Sequence, residues 1–414
     1  MTSATLGPWT SRTYHRQWLL KQADGLFDFF QNNSVNPKGG FFDLDDSGKP
    51  LDTEGQVRPV HIAARDVHCF SIGTLVGRPG AADLVDHGMQ YIWNHHRDQK
   101  NGGYFWSLNN DGPVDSTKQG YGHAFVLLAG SSAKTIGHPL ADAMIADVTD
   151  VLEKHFWEAE HGAIAEEFQA DWSPIDGGSY RGQNSNMHLT EALMAAYEAT
   201  GDSDYLDKAV SITDLIIRRS AGSVGWRVAE HFNASWQLDK NYRGNEMFRP
   251  SGTTPGHALE WTRLVLQLWS LSGRRHDWMP DAAKNLFKEA MSLGWDKQKG
   301  GFFYTLDWEN RPARREKLWW PACEAAAAAH YLNEHFPSDF YEESYRKIWN
   351  AIDRFFIDHE NGGWHEELTE DLKPSHSIFP GKGDIYHALQ ACLIPLFPAT
   401  ASLTKVVTEA SGKL

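Results

Sequence analysis

Cysteine is scarce in this chain, with Cys69, Cys323 and Cys392 the only three among 414 residues. They stand far apart, and none belongs to a CxxC or Cys/His spacing, which excludes a disulfide framework, a redox pair and a cysteine-held metal. Each sits in an apolar helical pattern and reads as a reduced core residue. Long apolar runs are missing too. No stretch of about 18 apolar residues is present to span a bilayer, and the opening MTSATLGPWTSRTYHRQ has no apolar segment of the secretory kind. A cytoplasmic protein with no membrane partner is expected. Positive charge is in deficit: Lys plus Arg total 39 against 54 for Asp plus Glu, a formal net charge of −15. Such a balance repels polynucleotides at long range, so no nucleic-acid partner is expected. No GxGxxG, P-loop or GxSxG stands between a strand and a helix, which argues against nucleotide binding and serine-nucleophile hydrolysis.

What remains is the composition of a globular protein, 22% charged and 41% hydrophobic, with an unusual stock of 17 Trp and 20 His. Aromatic walls with hydrogen-bonding tips suit sugar rings as well as cores. A Gly-aromatic-acidic segment recurs six times: KGGFFDLDDSGKP from Lys38, NGGYFWSLNNDGP from Asn101, HGAIAEEFQADW from His161, VGWRVAEHFNASW from Val224, KGGFFYTLDWENRP from Lys299 and NGGWHEELTEDLKP from Asn361. The marker glycines Gly39, Gly102, Gly162, Gly225, Gly300 and Gly362 lie 63, 60, 63, 75 and 62 residues apart. A period of that size marks a repeat architecture.

Each marker segment alternates bulky and polar residues and then meets turn formers, as at Asp46-Ser47-Gly48, and reads as a short strand or hairpin. Two helices separate successive hairpins. The one before the hairpin is amphipathic, as in YRKIWNAIDRFFIDH (Tyr345 to His359), and the one after is more apolar, as in HALEWTRLVLQLWSL (His257 to Leu271) and PACEAAAAAHYL (Pro321 to Leu332). Six such pairs predict an all-α fold of about twelve helices in two concentric rings: an (α/α)6 barrel in one domain, residues 1–414, with short hairpins at one end. An open solenoid is the alternative, but it needs polar capping repeats, and the first and last repeats here look like the others.

Closure brings all six inner-helix starts to one end of the ring. These starts carry Arg65, Tyr121, His188, His257 with Glu260, Trp320 with Glu324, and Tyr386 with His387, where Leu or Ala would otherwise be favoured. A lone His on an apolar helix is more often a hydrogen-bonded core residue; a polar or aromatic group in every repeat points to a shared pocket. His257 and Glu260 are three apart, so they share a helix face, and the carboxylate is expected to hold one imidazole nitrogen. His188 and His387 supply the remaining ligands for a metal reading of that pair, but no second carboxylate–His pair appears, and no metal is expected. Neutral imidazole takes and returns a proton, whereas glycoside hydrolysis asks for two opposed carboxylates. Reversible proton transfer on a polar ligand is the chemistry expected, with a carbohydrate-binding module and a glycoside hydrolase as readings of other classes.

The segments FRPSGTTPGHALEW (Phe248 to Trp261), NMHLTEA (Asn186 to Ala192), WWPACEA (Trp319 to Ala325) and GKGDIYHALQA (Gly381 to Ala391) resemble the N-acylglucosamine 2-epimerase superfamily, and within it the aldose–ketose isomerase branch. The resemblance covers nearly the whole chain. It implies an (α/α)6 barrel, no cofactor, a monosaccharide substrate and proton transfer between C1 and C2 of an open-chain sugar through a cis-enediol(ate). It implies catalysis by His257 and His387, and sugar contacts from Arg65, Tyr121, His188, Arg249, Glu260 and Trp320. His387 is expected to shuttle the proton and His257 to assist ring opening. Where sulfosugar enzymes of the branch carry Gln, this chain has Glu366 and Gly383; a carboxylate there repels a sulfonate, which favours D-mannose and D-fructose over sulfoquinovose. Sugar 2-epimerisation is the runner-up, since it needs the same two bases.

Overall fold

Helices with one apolar stripe alternate in this chain with helices apolar on every side, and burial sorts them into two layers. The structure, a computed structural model, describes residues 7–244 and 249–410, so the chain ends and Phe248 lie outside it. In chain order the helices are α1 (Thr13–Asn33), α2 (Val60–Leu75), α3 (Ala81–Tyr91), α4 (Gly120–Thr135), α5 (Ala141–Val151), α6 (Gln183–Thr200), α7 (Ser203–Thr213), α8 (Pro255–Leu271), α9 (Trp278–Glu289), α10 (Trp319–His335), α11 (Asp339–Ala351), α12 (Tyr386–Leu393) and α13 (Leu403–Ala410). The even-numbered helices are the inner ring. Every residue of α10 from Trp319 to Leu332 is buried, as is α8 from Pro255 to Leu268. In the outer α11, by contrast, Tyr345, Ile348 and Trp349 are buried while Lys347 and Asn350 on the same turns are exposed. Truncating the fully buried Trp349 to Ala costs about 3–5 kcal/mol.

Each inner helix packs on the next, and α12 packs back on α2, so the array is a closed (α/α)6 barrel. The helix beyond the expected twelve, α13, packs on α2, α4 and α6. Among the described residues no helix is long and apolar enough to cross a membrane.

Closure is written into the backbone by six antiparallel links. The residues just before each inner helix pair with the marker segment of the following repeat: Arg58 with Leu108, Lys118 with Phe168, Arg181 with Phe232, Thr253 with Leu306, Lys317 with Leu368, and finally Lys382 with Leu44. The expected hairpins are therefore only half of what the marker segments do. Each also satisfies backbone groups of its neighbour, which a strand of two or three residues cannot do alone. Two of these approaches require glycine, because a Cβ on Gly252 would stand 2.1 Å from the Leu306 carbonyl and one on Gly381 would stand 2.1 Å from that of Leu44.

Side chains tie three of the link-forming strands back to their own repeats. Asp98, Asp296 and Asp358 each accept two backbone N–H groups of their own turn, and each pairs with a buried lysine, Lys118 at 2.8 Å, Lys317 at 3.0 Å and Lys382 at 2.7 Å. Charges this deep persist only when paired and hydrogen-bonded. At the same place in the third repeat Glu158 holds Arg181 through two nitrogens.

Candidate active site

The links gather the inner-helix starts around a cavity of about 210 Å³, a volume on the scale of a monosaccharide. Seven of the eight site residues that the family resemblance implies line it: Arg65, Tyr121, His188, His257, Glu260, Trp320 and His387. Arg249 does not. Its guanidinium forms a two-point pair with Glu167 at 3.0 and 2.7 Å and lies over the Tyr180 ring, so the structure places it apart from the seven. Glu167 is a marker-segment acid that had appeared to be only a strand residue, and a forked carboxylate is the partner a guanidinium prefers.

His257 is the third residue of α8, whose first helical φ is fixed by Pro255. Its Nδ1 donates to Glu230, 2.8 Å from Oε1 and 2.9 Å from Oε2. Glu230 is anchored in turn by the Gln183 side-chain amide at 2.9 Å and the Thr254 N–H at 3.2 Å. Glu260, expected as the partner of His257, is not bonded to it. Side chains on a helix lean toward its N-terminus, so the imidazole offers its near nitrogen to the preceding loop, where Glu230 waits, and away from a residue one turn ahead. Burial pushes the Glu230 carboxyl up, but the adjoining His257 outweighs it and holds the carboxyl below its ordinary range.

His387 repeats the arrangement with different parts. Its Nδ1 donates to Glu324 at 2.9 Å, and the second oxygen of Glu324 accepts from Arg263 Nε at 3.0 Å. Burial acts upward on Glu324, yet Arg263 and His387 together bring it down to about 2. An ionised carboxylate only accepts, so in both histidines the proton sits on Nδ1 and Nε2 is left to the cavity. The Trp320 ring lies between the two imidazoles, 5.0 Å from His257 and 5.9 Å from His387 by centroids.

Across the cavity, Arg65 donates to Asp384 at 2.7 Å and to the Tyr121 hydroxyl at 2.8 Å, with its guanidinium over the Phe125 and Tyr386 rings. His188 lies against Tyr121 and Phe125 and is held neutral, well below its ordinary value, by burial and then by Arg65. Asp43, His61 and Asn184 also line the cavity and were not singled out in the sequence. Asp43 is pushed up to about 6 by burial and by Asp384. Glu366 faces the cavity as expected, but one oxygen accepts the N–H groups of Gly383 at 2.6 Å and Asp384 at 2.7 Å.

Among the described residues one group of side chains has metal-ligand spacing, His188, Glu191 and Glu260, with one donor atom from each within 4.8 Å of the others. It differs from the set weighed in the sequence, which centred on His257. Arg263 stands in the same space, 3.1 Å from Glu191 and 4.0 Å from Glu260, and a guanidinium there opposes a divalent cation. The donor set does not fit a metal.

A family model described as N-acylglucosamine 2-epimerase matches residues 39–391. The chain is 43% identical to the D-mannose isomerase of Pseudomonas cannabina pv. alisalensis, with 97% of this chain and 98% of the relative covered. It is 38% identical to that of Thermobifida fusca, covering 95% and 97%. Among solved structures, one titled "Crystal structure of D-mannose isomerase" superposes with a TM-score of 0.85 at 33% identity, covering 92% of this chain and 97% of the other.

Proposed function

Because the chain belongs to the N-acylglucosamine 2-epimerase family, we propose that it is an aldose–ketose isomerase that interconverts D-mannose and D-fructose without a cofactor, within one catalytic domain spanning residues 1–414. The observation that carries this reading is the pair of imidazoles on either side of Trp320, each with Nδ1 held by a buried carboxylate and Nε2 left to one monosaccharide-sized cavity.

In this reading the sugar ring opens with His257 moving the proton between the ring oxygen and O1. His387 Nε2 then takes the C2 proton of the aldose, the C2–H electron pair becomes the C1–C2 double bond of a cis-enediolate, and the carbonyl π pair moves onto O1. Arg65 and Tyr121 lie across the cavity and stabilise the oxygen on which charge develops. The O2 proton passes to O1, and as the C2 oxygen becomes the carbonyl the C1–C2 π pair takes the proton back from His387 at C1, which completes the ketose. Every atom of the sugar is conserved, and the base ends as it began. A positioned general base of this kind contributes roughly 10²–10⁴-fold. Trp320 supplies the stacking floor, and His188 and Glu260 hold hydroxyl groups.

The relatives named D-mannose isomerase support the substrate, and the cytoplasmic setting we propose is supported by three cysteines that are all free and buried. Proton NMR of the protein with D-mannose in D2O tests the reading. Fructose with deuterium incorporated at the exchanging carbon is the expected product; glucose as the sole product would make the protein a 2-epimerase, and an unchanged spectrum would make it a binder.

A further inference from the structure

Outside the lining of the cavity lies a buried cation. Arg263, on α8, is 2% exposed and among the largest fully buried side chains of the described residues. Its Nε donates to Glu324 Oε2 at 3.0 Å, and its Nη1 donates to Glu191 Oε1 at 3.1 Å. The second oxygen of each carboxylate is engaged from above: Glu324 Oε1 accepts from His387 Nδ1 at 2.9 Å, and Glu191 Oε2 accepts from the Tyr386 hydroxyl. One guanidinium therefore has two arms, and they end on consecutive residues at the start of α12.

We propose that Arg263 is a positioning residue for the proton shuttle. It clamps Glu324 in the ionised, fixed state that keeps the His387 proton on Nδ1, and through Glu191 and Tyr386 it fixes the first turn of the helix that carries His387. This rests on the reading of His387 as the shuttle.

The contrast with the other histidine carries the argument. Glu230, the partner of His257, is held by neutral donors, the Gln183 amide and the Thr254 N–H, and that suffices to place a carboxylate. Glu324 is held by a full positive charge instead. An unshared carboxylate stabilises the imidazolium and slows its release of the proton, whereas one shared with a guanidinium orients the imidazole with less of that stabilisation. A shuttle that must both take and return a proton in one turnover needs the second arrangement. The other charged or titratable groups that line the cavity with His387 are His257 and Glu260 from α8, His188 from α6, Tyr121 from α4, His61 and Arg65 from α2, and Asp43, Tyr304, Glu366 and Asp384 from the connecting segments, with Tyr386 beside it in sequence. Among the described hydrogen bonds only Arg263 shares Glu324 with His387.

The test uses the full chain labelled with 15N-histidine, with the His387 signal assigned by its loss in His387→Asn. In Arg263→Met the protonation midpoint of His387 is expected to move up by about one pH unit relative to wild type. The kcat for mannose is expected to fall roughly 10²-fold with KM changed little. The charge-balanced Arg263→Met/Glu191→Gln chain should regain thermal stability without regaining kcat, since Glu324 still lacks its clamp. Arg263→Lys keeps the charge but loses one arm, and should lower kcat without moving the midpoint. An unmoved midpoint in Arg263→Met, or a kcat that returns together with stability in the double variant, overturns the proposal. The imidazole titration needs no sugar, so a failure of the isomerase reading leaves it measurable and is recognised separately by the absence of mannose turnover in wild type.

Discussion

Glu230 and His257 meet at 2.8 Å although one belongs to a marker segment and the other to the helix that follows it. The acid on the same helix face, Glu260, stands instead 3.7 Å from His188 Nδ1. Orientation of the imidazole is thus a property of the loop end of the barrel, and Glu230→Gln isolates it. Glutamine preserves the volume but removes the charge that fixes the proton on Nδ1. We expect kcat/KM for mannose to fall roughly 10²-fold or more in steady-state assays, with the fold unchanged by circular dichroism.

Replacing His387 with Asn keeps a hydrogen-bonding side chain of similar reach and removes the titratable group. We expect kcat to fall by about 10²–10⁴-fold with KM changed little. The control is His330, also buried on an inner helix but bonded to the Phe397 carbonyl at 3.3 Å and lying outside the cavity lining. His330→Asn should lower the melting temperature and leave kcat within a fewfold of wild type. Normal turnover in His387→Asn would move the shuttle role to His257.

Anionic sugars meet a poor reception in this cavity. The Arg65 guanidinium is paired with Asp384, Arg249 is paired outside the lining, and Glu366 already occupies the amides of Gly383 and Asp384 that an anion would use. Mannose is expected to exceed sulfoquinovose in kcat/KM by roughly tenfold or more at pH 8. Asp43, pushed up to about 6, is charged above that pH and neutral below it, so the ratio should narrow toward pH 5. An inverted ratio at pH 8 would show that Arg65 leaves Asp384 for the anion.

A pH effect on stability is expected from His123. Its Nδ1 donates to the Gln119 carbonyl at 2.7 Å, and its Nε2 accepts the Tyr104 N–H at 3.1 Å, a pattern open only to neutral imidazole. Burial brings it down to about 3, below its unfolded value, so between roughly pH 6.5 and 3 the unfolded chain takes the proton first and stability declines as pH falls. Glutamine supplies one donor and one acceptor without titrating. The melting temperature of His123→Gln should therefore drop less than that of wild type between pH 7 and 4.5; equal slopes would show that His123 is not a source of acid lability.

The repeat made the architecture readable, because a sixty-residue period with paired helices has few ways to bury both apolar faces. It also made the site readable, since closure alone brings together residues as distant as Arg65 and His387. Other features left weaker traces. The links between repeats are one to three residues long, too short to show alternation, and their partners lie a whole repeat away. Glu230 looked like any strand acid in VGWRVAEHFNASW, and Arg249 was read for its motif rather than for the acids Glu166 and Glu167 that hold it. Arg263 did leave a signal: a lone guanidinium inside LEWTRLVLQ, on a helix with no wet face, must be met by buried acids.

Lys118, Lys317 and Lys382, whose side chains are 0%, 0% and 1% exposed, anchor link-forming strands in three different repeats. Burial also lowers the proton affinity of the first two amines. An acylating reagent will therefore mark surface lysines at once and these three only when the strand each one anchors comes away from its own repeat. The ring carries its own set of chemical clocks, one on the strand of the closing joint and two elsewhere, and the order in which they are marked is the order in which those repeats loosen.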